Sequence, residues 1–286
     1  MKKYNMRILI TGAGGLIGSH LVPLLEKEHE LITVSGKINN AGNLNIDFSK
    51  DWSTDLLPAG IDAIVHLAQS EDFRDFPGKA KSVFNVNTVS TLNLADFAVK
   101  AGIKKFIYAS SAGIYGNSDD AFTEEQQIIY KKEMGFYLGT KYCSEVILNN
   151  YTTLLDVQQL RFFFVYGKGQ RKDMLIPRLI NNVKAENPIT LLGKDGIKIN
   201  PLHASDAAKA IKAALDLQGS HIINAGGPEV LSLRKICEII ADCIGTSPVF
   251  NIEEKKPGHL MGDISRMTEL LIAPEIKFSD GIKTLI

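Results

Sequence analysis

The stretch that most restricts what this chain can become is Met6 to Val22, MRILITGAGGLIGSHLV. An apolar run, Ile8-Leu9-Ile10, enters a loop carrying Gly12, Gly15 and Gly18, and an amphipathic segment leaves it. That order predicts strand, tight turn and helix. Glycine admits positive φ in the turn, and its missing Cβ lets backbone N–H groups approach a pyrophosphate seated on the helix N-terminus. The reading is a dinucleotide cradle made by Gly12, Gly15, Leu16, Ile17 and Gly18. A surface turn can carry the same glycines; the strand before and the helix after are the context a dinucleotide fingerprint requires.

The spacing Gly-x-x-Gly-x-x-Gly, with Gly14 also present, differs from the Gly-x-Gly-x-x-Gly of many dehydrogenases. It resembles the short-chain dehydrogenase/reductase superfamily, and the wording TGAGGLIG resembles its extended, sugar-nucleotide-modifying branch. The helix continues through Leu21, Leu24 and Leu25, and Leu31 to Val34 makes a second strand, completing a βαβ unit. An acid closing that strand would hydrogen-bond the adenosine ribose of NAD. Here it closes with Ser35-Gly36-Lys37, a hydroxyl, a small residue and a cation, which suits a 2′-phosphate and favours NADP(H) over NAD(H). A solvated Lys37 is the alternative.

Leu44 to Phe48 resembles the branch's strand that ends in an aspartate meeting the adenine amino group, which places Asp47 and Phe48 among the cofactor residues. An exposed turn aspartate reads the same way. Asp62 to Ala68 is a fourth strand, continuously apolar as a sheet covered on both faces demands. It resembles the segment VHLAA, in which backbone near Leu67 and Ala68 lines the cofactor, and Gln69 departs from the second alanine. His66, inside the apolar run, reads as a satisfied core histidine. Glu71 to Gly78 is polar and irregular, as a substrate-side loop would be.

Ala80 to Ala101 has the spacing of one long amphipathic helix, ended by Gly102. Its segment from Asn87 to Leu94 is similar to Asn-x-x-Gly-Thr-x-Asn-Leu, which implies that Asn87 organises backbone and water near the active site and belongs with the cofactor residues. Lys104 to Ser111 is the fifth strand.

The sharpest chemical constellation is Ser111 at the end of that strand, followed by Tyr137 and Lys141. Tyrosine and lysine four apart share one helix face. A free phenol has a pKa of about 10, too high for a base near neutrality. A neighbouring ammonium stabilises the phenolate, and it can also donate to the nicotinamide ribose. Ser111 would hydrogen-bond the substrate oxygen whose proton Tyr137 handles, while a hydride moves between carbon and nicotinamide.

With Ser110 to Gly116 similar to Ser-Ser-x-x-Val-Tyr-Gly, Thr123-Glu124-Glu125 similar to the acidic turn that follows it, and Tyr137-x-x-x-Lys141-x-x-x-Glu145 similar to the active-site helix, the chain resembles the NAD-dependent epimerase/dehydratase family. The resemblance implies a Rossmann-type doubly wound parallel sheet with a smaller mixed α/β substrate lobe. Dehydratases of the family carry an acidic pair after the catalytic hydroxyl, whereas this chain has Ala112 and Gly113, so dehydration is disfavoured.

Asp156 to Val165 reads as a sixth strand, with Leu160-Arg161 and Val165-Tyr166-Gly167 similar to the family's Leu-Arg…Asn-Val-Tyr-Gly-Pro. The substrate-contacting asparagine is here Phe164 and the proline Lys168, which opens the choice to lipid, terpenoid or simpler keto substrates. Met174 to Lys184 predicts a helix with Pro177 in its first turn. Lys198 to Ala208 is similar to Arg-x-Asn-Pro-Ile-His-Val-x-Asp-x-Ala. Lys198 stands at the place of a diphosphate-binding arginine without its bidentate fork, and His203 and Asp206 read as holding a helix start. His221 to Asn224 is a returning strand, and Ser232 an N-cap for a helix ending at Ile244. Gly262-Asp263-Ile264-Ser265-Arg266 resembles a late segment whose cation faces substrate; a solvated Arg266 fits as well. The end at Ile286 is short for this branch.

The sequence contains no repeat or low-complexity linker. A dinucleotide-binding lobe is expected from 1–166 plus about 201–224, and a substrate-binding lobe from about 167–200 plus 225–286. Equal numbers of basic and acidic residues, 32 each, leave no overall field to recruit nucleic acid or an anionic membrane. Cys143, Cys237 and Cys243 lack metal-type spacing, so no metal is expected, and their odd number suits reduced thiols in the cytoplasm. Lys2, Lys3 and Arg7 before an apolar run imitate a signal peptide, but the glycines interrupt the run. No stretch approaches the ~20 apolar residues of a membrane span.

The expected activity is that of an NAD(P)-dependent sugar-nucleotide epimerase or 4-ketoreductase. The alternatives are a reductase acting on a non-sugar keto or hydroxy substrate, and a non-catalytic dinucleotide-binding sensor. The resemblance also implies a homodimer, pairing the helices of 80–101 and 133–151 across a two-fold axis.

Overall fold

The computed structural model describes residues 6–36, 44–129 and 134–286. Six parallel strands come first: β1 (Arg7–Thr11), β2 (Glu30–Ser35), β3 (Leu44–Asn45), β4 (Ala63–His66), β5 (Lys105–Ser111) and β6 (Asp156–Phe162). Four short strands follow, β7 (Val165–Tyr166), β8 (Ile189–Leu192), β9 (Lys198–Ile199) and β10 (Leu202–His203), before β11 (His221–Ala225) returns to pair with β6. The large sheet runs β11-β6-β5-β4-β1-β2-β3. Strand order therefore reverses beside β1, and the crevice beyond the carboxyl ends of β1 and β4 is where such sheets bind ligands.

Both faces of the sheet are covered, which explains its continuous apolar runs. Alternate residues face opposite ways. Ile8, Ile10, Val65, Ile107 and Leu160 pack with α1 (Leu16–Leu25) and the alanine-rich α6 (Ala204–Ala214). Leu9, Ile64, Phe106 and Val157 pack with Leu94, Ala95 and Ala98 of α3 (Ser90–Lys100) and Leu148 of α4 (Gly135–Asn149). Each fully buried side chain of this size contributes about 1.5–3 kcal/mol, so three consecutive ones hold the short β1 centrally in the sheet.

A third cluster is built from α5 (Leu175–Lys184), β8, β9 and α7 (Leu233–Ile244), with Ile180, Val183, Leu191, Ile236 and Ile240 at its centre. Ser232 caps α7 as expected, accepting from the N–H of Lys235. His203 caps α6 through Nδ1 to the Ser205 N–H. Buried Asp206 instead accepts from the N–H groups of Glu275 and Ile276, tying the late chain to α6.

Three expected elements differ. The third strand stops at Asn45 because Asp47 turns the chain, its Oδ1 accepting from both the N–H and hydroxyl of Ser49. The sixth strand stops at Phe162 because Phe164 takes φ +42°, a left-handed conformation that breaks the strand and sets Val165–Tyr166 against β10. The helix expected from Ala80 to Ala101 is divided into α2 (Ala80–Phe84) and α3 by a π-turn, Asn85–Val89. The Asn87 carbonyl accepts from the Thr91 and Ser144 hydroxyls at this widened turn.

Candidate active site

The glycine loop joins β1 to α1 at the crevice. Gly12 has φ +70°, and a Cβ there would lie 2.7 Å from the Ala68 nitrogen and 2.8 Å from the Leu67 carbonyl carbon. A Cβ on Gly18 would stand 2.5 Å from the carbonyl oxygens of Gly12 and Ala13. These two glycines allow loop, helix and β4 to close on one another, which sets Leu67 and Ala68 beside the loop. Gly15 is exposed and begins α1 without a side-chain cap, and no acid occupies the first turn. The first amides of a helix lack intrahelical partners, so the start of α1 at Leu16 and Ile17 offers donors and positive dipole to an anion. A pyrophosphate fits this cradle.

Around it, the Ser49 hydroxyl bond holds the Asp47 carboxyl below the usual range, opposed by partial burial. Phe48 is buried against Trp52, with ring centroids 4.8 Å apart. Ser35 ends β2, and Lys37 lies outside the described residues. His66 is the core histidine expected: it faces the hydroxyls of Thr11 at 2.6 Å, Thr91 at 3.0 Å and Ser90 at 3.2 Å. Burial and the nearby Lys141 charge push it down to about 3, so it is neutral.

The carboxyl end of β5 gathers the acid/base candidates. Ser111 caps a short turn, Ala112–Tyr115, by accepting from the Gly113 N–H. A Cβ on Gly113 would lie 2.8 Å from Leu138, so this turn rests on α4 next to Tyr137. Lys141 is buried one helical turn on; its ammonium donates to the Ala109 carbonyl at 2.8 Å and lies 4.9 Å from the Tyr108 ring centroid. Burial brings Lys141 down to about 7, against the opposing pull of Glu145.

The Tyr137 hydroxyl donates to Gln69 Oε1 at 2.9 Å. Burial raises this phenol above its ordinary value. Here the Lys141 ammonium is turned to the Ala109 carbonyl, and the Tyr137 hydroxyl to Gln69. Asn87 accepts from the Ser70 N–H and donates to the Thr140 hydroxyl, each at 2.9 Å, fixing the end of β4 relative to α4.

Lys141 supplies a pH signature. Between about 7 and the ordinary lysine value near 10.4, the unfolded chain binds a proton that the folded chain does not. Stability therefore rises with pH across that window. Relative to Lys141→Met, the native chain should gain about 1 kcal/mol per pH unit above neutrality. Urea unfolding of both proteins from pH 7 to 9 checks this, and parallel curves would refute it.

The substrate-side candidates are dispersed. Phe164 links β6 to β7; Lys198 is exposed on β9, its N–H donating to His259 Nδ1. The Arg266 guanidinium is ion-paired to Glu125 and donates to the Ile222 carbonyl at 3.1 Å. Behind the site lies a buried network that no local sequence pattern signals. Arg161 donates to both oxygens of Glu145, at 2.6–3.2 Å, and to the Tyr115 hydroxyl at 2.7 Å. Tyr115 donates to Asn224 at 2.8 Å. The partner of Tyr137 is likewise set by packing, and its one trace in the sequence is the departure from VHLAA at Gln69.

A doubly wound parallel sheet, a glycine cradle at its strand-order reversal, and a serine, tyrosine and lysine gathered at the end of β5 define a dinucleotide-binding class of fold. Across residues 8–226 the sequence matches the pattern described as NAD dependent epimerase/dehydratase family. The chain belongs to that family, whose members are NAD-dependent enzymes. It is 30% identical to an uncharacterized UDP-glucose epimerase, YtcB, of Bacillus subtilis, over 97% of this chain and 96% of that protein. It is 28% identical to the UDP-glucuronate 4-epimerase of Thermodesulfobacterium geofontis, over 97% and 94%. Among solved structures, the UDP-glucuronic acid 4-epimerase from Bacillus cereus in complex with UDP-glucuronic acid and NAD superposes with a TM-score of 0.84 at 27% identity, covering 98% of this chain and 97% of that one.

Proposed function

We propose that this protein is an NAD(P)-dependent nucleotide-sugar epimerase or 4-ketoreductase in which Tyr137 is the general acid/base. The observation that carries the reading is the Tyr137 hydroxyl on Gln69 at the carboxyl ends of β4 and β5, beside the glycine cradle. Relatives named as epimerases of UDP-sugars, and a structural neighbour of that kind solved with NAD, support it.

Gly12, Gly15, Leu16, Ile17 and Gly18 hold the dinucleotide phosphates, with Leu67 and Ala68 along its nicotinamide half, Asn87 organising the backbone behind them, and Ser35, Asp47 and Phe48 toward its adenosine. A nicotinamide bound there supplies the hydride acceptor and donor. Ser111 orients the sugar oxygen, and Tyr137 takes that oxygen's proton on oxidation and returns it on reduction. Lys141, its charge carried near neutrality, holds the ribose and stabilises the phenolate as the proton leaves. Ala112 is buried and Gly113 packs on Leu138, so no carboxyl stands there for dehydration.

We assign Phe164, Lys198 and Arg266 to the substrate side. Arg266 reaches an anion by exchanging Glu125 for it, and Phe164 supplies an apolar contact, the feature that favours a non-sugar keto substrate as the second reading. The NADP(H) preference rests on Ser35 to Lys37, against neighbours solved with NAD.

In our reading, residues 1–166 with about 201–224 form the cofactor lobe, and about 167–200 with 225–286 the substrate lobe; the separate third core supports the division. Exposed Leu92, Val99 and Val146 support pairing of α3 and α4 in a homodimer; Glu133, within the expected pairing segment, lies outside the described residues. No helix among the described residues is long and apolar enough to cross a membrane. Free thiols at Cys143, Cys237 and Cys243 suit a reducing compartment, and on that ground we place the enzyme in the cytoplasm.

The test is incubation of the protein with NAD or NADP and a panel of UDP-sugars, followed by chromatography of the sugars. Interconversion of 4-epimers, or reduction of a 4-keto sugar with NADPH, is the expected result. Turnover of non-sugar ketones alone would overturn the nucleotide-sugar reading.

A further inference from the structure

Gln69 follows β4 and reaches across the crevice to α4, where its Oε1 accepts from the Tyr137 hydroxyl at 2.9 Å. Backbone on both sides of this contact is fixed. The Ser70 N–H donates to Asn87 Oδ1 at 2.9 Å, Asn87 Nδ2 donates to Thr140 Oγ1 at 2.9 Å, and that hydroxyl donates to the Tyr137 carbonyl at 2.6 Å. One chain of hydrogen bonds through the π-turn thus sets the distance between the Gln69 neighbour and Tyr137. On the far side, the Phe73 ring lies 5.1 Å from the Tyr137 ring. Arg74 and Arg171 flank Phe73, and both pair with Asp173.

We propose that Gln69 is a positioning residue for Tyr137, whose amide oxygen holds the phenol as a proton donor and sets the pH at which the tyrosine turns from acid to base. A carbonyl oxygen accepts from a phenol and offers nothing to a phenolate, so this contact favours the protonated form. The proposal rests on reading Tyr137 as the acid/base.

Of the charged and titratable groups on the elements packed around it, Tyr108 on β5 is coupled to the phenol, Arg74 and Arg171 reach it only through Phe73, and on its own helix Lys141 is turned to the Ala109 carbonyl and Glu145 to Arg161. Arg161 of β6 is paired with Glu145 and bonded to Tyr115 of the turn on α4, and Lys79 and Lys81 at the start of the neighbouring helix are exposed. None of them changes in the variants below. Gln69 is itself exposed, so substitution there leaves the core intact and lets water take the place of the amide.

The experiment places 3,5-difluorotyrosine at position 137 of the full chain; its ring fluorines bring the phenol's titration into the range where the protein is folded. Fluorine NMR then follows the titration with Gln69 native, Gln69→Ala and Gln69→Glu. A net hydrogen bond of about 1 kcal/mol corresponds to a shift of about half a unit to one unit. Gln69→Ala should move the midpoint down by that amount. Gln69→Glu, which accepts from the phenol and repels the phenolate, should move it up by at least as much.

An unmoved midpoint in both variants overturns the proposal, as does a rise in Gln69→Ala, which would mean the amide presents its nitrogen. The pH profile of kcat/KM for UDP-sugar turnover should shift in the same directions, with KM little changed. Fluorine shifts as expected without any nucleotide-sugar turnover would leave the coupling standing and overturn the functional reading instead. Turnover with an unmoved midpoint would do the reverse.

Discussion

Tyr137→Phe should lower turnover by about 10²–10⁴-fold while leaving dinucleotide affinity and the fold unchanged. Only the hydroxyl is lost. The ring that packs against Phe73, with centroids 5.1 Å apart, is kept, and the glycine cradle lies on a different element. The proton leaving or returning to the sugar oxygen then has no carrier other than water, which is the origin of the loss. Steady-state kinetics on an interconverting UDP-sugar, with calorimetric titration of NAD, separates the two quantities. Undiminished turnover would remove Tyr137 from the mechanism. Equal loss of turnover and cofactor binding would assign it a structural role.

The second large effect is on stability. Glu145→Ala should destabilise the protein by about 3–5 kcal/mol, read by urea unfolding. The Arg161–Glu145 pair is almost completely buried, with side-chain exposures of 4% and 1%. Its ions pair in two-pronged geometry, and Arg161 also donates to Tyr115 and lies 4.8 Å from that ring's centroid. Removing the carboxylate leaves a buried guanidinium that cannot shed its proton. The effect should propagate, because Tyr115 donates in turn to Asn224 of β11, which donates to the Phe122 carbonyl. The double variant Glu145→Ala with Arg161→Leu should recover part of the loss, since the stranded charge goes with it. A cost below 1 kcal/mol for Glu145→Ala would mean that the pair does not hold these elements together.

These two residues show how unevenly the site can be read from residues alone. Tyr137 and Lys141 announce themselves because four-residue spacing puts them on one helix face whatever the surroundings. Glu145, one further turn along, falls in the same pattern, yet its partner is on β6 and no local rule names it. Lys141 is instructive in the opposite sense. Its position was legible, but its ammonium goes to the Ala109 carbonyl, because a buried cation takes the acceptor that packing brings within reach. The long helix ending at Gly102 was legible by its apolar spacing, whereas the π-turn at Asn85–Val89 was not, since the hydroxyls that satisfy its Asn87 carbonyl come in part from α4.

By itself the sequence determined the central strands, the glycine loop, the amphipathic helices that cover the sheet and the order in which serine, tyrosine and lysine arrive. All of these follow from short-range physics: side-chain periodicity, backbone freedom at glycine and the burial of continuous apolar runs. Only the tertiary structure decided that Gln69 meets Tyr137, that Asn87 bridges Ser70 to Thr140, and that Arg161 finds Glu145, Tyr115 and through it Asn224. Those contacts join residues from different elements of the chain, and their geometry is set by how the sheet and helices pack as a whole, which no local pattern of residues encodes.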